Sequence, residues 1–82
     1  MSNLFRAAPR RFFGVRECCE SVAEGFRHSD DLTATTIRCA INDRFDMAAK
    51  DGYDVPEDYD QTRAVQTVRR LVAQFEPRAS WA

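Results

Sequence analysis

The chain has 82 residues, 44% hydrophobic and 30% charged, a balance that fits a globular domain and excludes a disordered one. A formal net charge of −1 excludes a global positive field that would draw it to nucleic acid or acidic membrane. Cys18, Cys19 and Cys39 are an odd set with two neighbours, which excludes a disulfide framework, and no apolar run approaches the ~20 residues a membrane span needs. The expectation is one soluble, cytoplasmic domain over residues 1–82 with reduced thiols, near the size where a core is marginal.

Charge is unevenly spread. Residues 1–16 carry Arg6, Arg10, Arg11 and Arg16 and no acid, whereas residues 51–60 carry only acids. Lys50 is the sole lysine; the arginine bias is read as codon usage. Six Phe, one Trp and two Tyr are a large aromatic supply for so short a chain, and such a surplus favours a partner or self-association surface.

In chain order, residues 1–8 read as an arm ending before Pro9. Its Arg and Phe residues interleave through Phe13, but the segment is too short and too broken by Pro9 for a membrane anchor. The first long helix is predicted over 9–26, with Pro9 at its first turn and Phe12, Val15, Cys19, Val22 and Phe26 on one face. Gly14 weakens it by roughly 1 kcal/mol. Gly25 offers a left-handed cap to end it; the alternative is a helix that runs on to His28.

Ser29 or Asp30 is the expected N-cap of a second helix over 31–50, with Ala34, Ile37, Ile41, Phe45 and Ala48 inward and Gly52 as terminator. The alternative is a strand in 33–41, since Thr33, Thr35, Thr36, Ile37 and Ile41 are β-branched and Ile37, Cys39 and Ile41 alternate. Helix is preferred because the apolar spacing continues to Ala48, past the length of a typical strand.

The third helix is the clearest. Val65, Val68, Val72 and Phe75 recur at three, four and three, widened by Ala64 and Leu71. Asp54-Val55-Pro56-Glu57 has the form of a capped start, with a later start near Asp58 or Asp60 as the alternative. Glu76-Pro77 ends it, and residues 77–82 form a tail in which Trp81 is either a core plug or an exposed anchor. Three helices with short connections predict an all-α three-helix bundle with an N-terminal arm and a C-terminal tail; an α+β fold with a strand in 33–41 is the runner-up.

Chemistry finds little purchase. His28 is the only histidine, so nucleophilic catalysis would need Cys18 or Cys39 to meet it in space. Zinc would have to use His28, Cys18, Cys19 and Cys39 without the usual spacing between paired ligands. Asp51, Asp54 and Asp58 do not follow a calcium loop, no phosphate-cradling glycine loop exists, and Glu57 with Asp58 would need a walled cleft to act as a hydrolase pair. No enzyme, metal or cofactor is expected.

The leading expectation is a protein-binding module. Its contact set would be Tyr53, Asp54, Glu57, Asp58, Tyr59 and Asp60, docking on a basic, nucleic-acid-binding surface of a larger protein. Small phage-encoded or mobile-element inhibitors and accessory factors act by such occlusion, and the comparison rests on size, absent catalytic machinery and surplus aromatics alone. Direct DNA or RNA binding through Arg38, Arg63, Arg69 and Arg70 is one alternative, weakened by the acidic balance. A homodimer completed by Phe12 and Phe13 or by Trp81 is another.

Overall fold

A computed structural model describes residues 11–75. The arm at 1–8, Trp81 and the tail at 77–82 lie outside the described residues. Within them run three helices, α1 (Val15–Gly25), α2 (Ala34–Lys50) and α3 (Gln61–Phe75), each packed on both others. The protein is a small all-α three-helix bundle. Its described residues contain no strand, so residues 33–41 are not a strand: Thr33 caps α2 and Ala34 to Ile41 are its first turns. The β-branched cluster loses to packing, because only a helix turns Ile37, Ile41 and Phe45 toward α1 and α3 together.

The core is built from the expected stripes, except that Phe12, expected inward, is 64% exposed because residues 11–13 run extended instead of helical. Cys18, Cys19, Val22 and Ala23 of α1 meet Ile37, Ile41 and Phe45 of α2 and Ala64, Val65, Val68 and Val72 of α3. Ile37 and Ile41 are fully buried, each contributing about 1.5–3 kcal/mol by leaving water. Cys18, next to Cys19 of the stripe, is fully buried as well, its Sγ 3.5 Å from the Ile41 carbonyl oxygen, which accepts a weak hydrogen bond. Leu71 stays at the core's edge, half-buried.

α1 and α2 begin later than their sequence cues suggest, and α3 takes the later of its two expected starts. Residues 11–13 run extended and bridge in parallel to Asp54: the Asp54 N–H donates to the Arg11 carbonyl (2.7 Å) and the Phe13 N–H to the Asp54 carbonyl (2.8 Å). That pairing holds the chain out of helix until Gly14, whose N–H donates to Glu17 Oε1 at 3.1 Å as α1 starts. Gly25 does not take a left-handed conformation; Phe26 caps α1 at φ −100°. Arg44 lies across α1, donating to Ser21 Oγ and standing over Gly25.

At α2 the cap is Thr33 rather than Ser29 or Asp30. Its Oγ1 accepts from the Thr36 N–H at 3.4 Å. Asp31 is drawn into supporting that cap, accepting from the Thr33 N–H and hydroxyl and the Thr36 hydroxyl. The Thr33 N–H, then the two hydroxyls, hold the Asp31 carboxyl below its usual value.

Gly52 does end α2, in the way its position implied. It sits at φ 94°, while the Tyr53 N–H donates to the Ala48 carbonyl and the Gly52 N–H to Ala49. These are the paired bonds of a Schellman turn. At α3 the earlier start at Asp54 is wrong and the later alternative holds. Asp60 is the cap, its Oδ1 accepting from the Arg63 N–H at 3.0 Å. Pro56 therefore lies in an irregular connection, outside the first helical turn.

Candidate functional site

The acidic connection between α2 and α3 is a pinned segment. Its aromatic side chains point inward and form a chain of ring contacts with the core. The Tyr53 ring stands edge-on to Phe13 at 6.2 Å, Phe13 to Phe45 at 5.9 Å, and Phe45 tilts against Tyr59 at 5.2 Å. Contacts of this geometry are worth about 0.5–1.5 kcal/mol each beyond the area they bury. The Tyr59 hydroxyl also donates to Asn42 Oδ1 of α2 at 2.6 Å. Burial, foremost, raises the Tyr59 phenol above its ordinary value.

The expected contact set therefore divides. Tyr53 and Tyr59 are half-buried and spend their faces on the protein itself. Asp54, Glu57, Asp58 and Asp60 stay exposed. Asp54 holds the bridge to residues 11–13 through its backbone, Asp58 Oδ1 accepts from the Tyr59 N–H at 2.9 Å, and Asp60 caps α3. The carboxylates thus stand on a shaped ridge.

Beside this ridge, between α1 and the first half of α3, lies an apolar groove of about 490 Å³. Val15, Cys19, Ala64 and Thr67 line it, Asp58, Tyr59 and Asp60 close one end, and Arg16 and Arg63 stand at its rim. Sequence reasoning found the acidic end but missed Arg16, Thr67 and the groove itself. The available signal was size: Cys19, Ala64 and Thr67 are small residues along the edges of the helical stripes, and small residues leave room.

The arginine set also divides. Arg63 and Arg70 share the outer face of α3 with Gln66, around a shallow polar hollow of about 350 Å³. Arg69 turns the other way, its Nε donating to the Leu32 carbonyl at 2.9 Å and tying α3 to the connection before α2. Arg38 is half-buried on α2, close enough to Tyr59 to act on its phenol. No single face presents Arg38, Arg63, Arg69 and Arg70.

The remaining candidates for chemistry are dispersed. Cys18 and Cys19 are in the core, Cys39 is exposed on α2, and His28 is exposed in the turn after α1. Among the described residues, no group of His, Cys, Asp and Glu is arranged to hold a metal ion, and no helix is long and apolar enough to cross a membrane. Burial pushes the Cys18 thiol up to about 12, with a smaller upward push from Cys19. At neutral pH it is the protonated, weakly nucleophilic form.

Fold and site together define a small helical bundle that carries an acidic ridge beside an apolar groove. No protein-family model matches the chain, and no curated protein or solved structure matches it significantly.

Proposed function

We propose that this protein is a non-enzymatic binding module, acting in the cytoplasm, whose acidic ridge docks on a basic surface of a larger protein. The observation that carries the reading is the fixed presentation of Glu57 and Asp58. Both are exposed, no Lys or Arg lies between residues 51 and 60, and the segment is held by the Gly52 turn, the Asp54 bridge and the Tyr53 and Tyr59 rings. A ridge already ordered loses little conformational freedom on binding, so its charge complementarity translates into affinity and encounter rate. A basic surface of that kind is one that otherwise holds nucleic acid, and occupying it would occlude that function.

The test is capture of partners by tagged full-length protein after nuclease treatment, compared with the Glu57→Lys/Asp58→Lys double variant. A partner retained after nuclease and lost on charge reversal is the expected result. Equal capture by the folded double variant refutes the reading. A partner set that disappears with nuclease points instead to direct nucleic-acid contact, for which the Arg63, Gln66 and Arg70 face is the available surface.

A further inference from the structure

The ridge and the groove are continuous. Asp58 and Tyr59 belong to both, and the groove floor is apolar where the ridge is charged. From this juxtaposition we infer that the groove is the seat of an amphipathic helix in the partner. A large aliphatic or aromatic side chain of that helix fills the space over Cys19, Ala64 and Thr67, while a flanking Lys or Arg reaches Asp58. The inference rests on the proposed protein-binding function and names the form of its partner.

Three features select this occupant. The groove is walled by two helices, and a helix laid into such a trough is a recurring mode of recognition. Its volume of about 490 Å³ is far more than a water site and has room for large side chains, with only small residues beneath them. The charge at its end is directional. Asp60 caps α3, Arg16 makes an exposed pair with Glu20 at 3.6 Å, and Arg63 at the rim has no ion pair among the described residues, so a partner cation has its place on the Asp58 side alone. Asp58 gives one carboxylate oxygen to the Tyr59 N–H, and it continues outward into Glu57 with no ion pair to either among the described residues. An apolar side chain flanked by a cation matches the floor and the Asp58 end together, whereas an acidic helix would meet repulsion there.

The probe is a synthetic 18-residue amphipathic helix of Leu and Arg, with a Leu and Glu peptide of the same pattern as control. Each is titrated into isotope-labelled full-length protein and followed by amide chemical shifts. The expected result is saturable binding of the Leu/Arg peptide with shifts at Val15, Ala64 and Thr67, and none with the Leu/Glu peptide. Thr67→Trp, which fills the groove, and Asp58→Lys should each weaken binding at least tenfold. Thr67→Gln serves as a second groove variant should the Trp variant fail to fold.

Shifts confined to residues 51–58, with full affinity retained in the Thr67 variants, would overturn the groove inference and leave the acidic-ridge reading standing. Absence of saturable binding by the Leu/Arg peptide would also overturn it. So would movement of the groove amides on dilution without peptide, which would make a second copy of this chain the occupant. Failure of the ridge reading itself has a different signature: binding that Asp58→Lys does not alter.

Discussion

Gly52→Ala isolates a single backbone term. Gly52 sits at φ 94°, and a Cβ built there meets nothing within 4 Å, so the substitution adds no clash. The cost comes from the left-handed conformation, about 1–2 kcal/mol for an L side chain. Ala offsets about 0.4–1 kcal/mol of this by restricting the unfolded chain. The net loss is then about 1 kcal/mol, and for a domain this size each kcal/mol lowers Tm by about 4–8 °C. Asn tolerates the same conformation better, so Gly52→Asn should fall between Ala and wild type. Thermal and urea unfolding followed by circular dichroism measure both variants. The same turn aims the acidic connection, so Gly52→Ala should also broaden the amide signals of residues 53–59. Unchanged stability, or Asn as damaging as Ala, would refute the assignment of the turn as a left-handed cap.

Further expectations concern the other contacts. Tyr59→Phe should cost about 0.5–1 kcal/mol by removing the hydrogen bond to the exposed Asn42, whose amide water can then satisfy, and a double-mutant cycle with Asn42→Ala should show coupling where an unmade bond would show none. Thr33→Ala should cost about 0.5–2 kcal/mol through loss of the α2 cap, read by chemical denaturation; a neutral result would move the cap back to Ser29 or Asp30. A thiol reagent should label Cys39 in the native protein and reach Cys18 and Cys19 only in denaturant, as mass spectrometry of the digested product would resolve. Stability should also depend on pH at the alkaline end. Cys18 titrates near 9.0 when exposed and about 12 in the fold, so above about pH 9 the unfolded chain releases a proton the native chain keeps. Its contribution is complete below that pH and is lost as pH rises toward 12, by up to about 1.4 kcal/mol per pH unit, with Cys19 and Tyr59 acting in the same direction. Cys18→Ala should flatten that slope in unfolding experiments between pH 8 and 11.

Much of the bundle was legible from residue spacing. The stripes through Cys19 and Val22, through Ile37, Ile41 and Phe45, and through Val65, Val68 and Val72 are the observed core, because burial of one helical face is written at a period of 3.6 residues. Gly52 as a terminator was legible as well, since a glycine after a periodic run is a local signal with a local cause. The acidic run at 51–60 and its lack of cations are likewise properties of the chain itself.

Tertiary structure decided where the helices begin. The pattern from Pro9 to Phe12 reads as helix, yet residues 11–13 run extended because their backbone bonds go to Asp54, more than forty positions away. Asp54-Val55-Pro56-Glu57 has the form of a helix start, but Tyr59 anchors the connection to Phe45 and Asn42 and leaves Asp60 to cap α3. Thr33 displaces Ser29 and Asp30 as a cap once Asp31 braces its hydroxyl. Tertiary structure also turned Tyr53 and Tyr59 inward, sent Arg69 away from Arg63 and Arg70, and opened a groove where Cys19, Ala64 and Thr67 come together. Period and capping chemistry act over a few residues and can be read along the chain. Which side chain is spent on the interior depends on neighbours that only folding brings into reach.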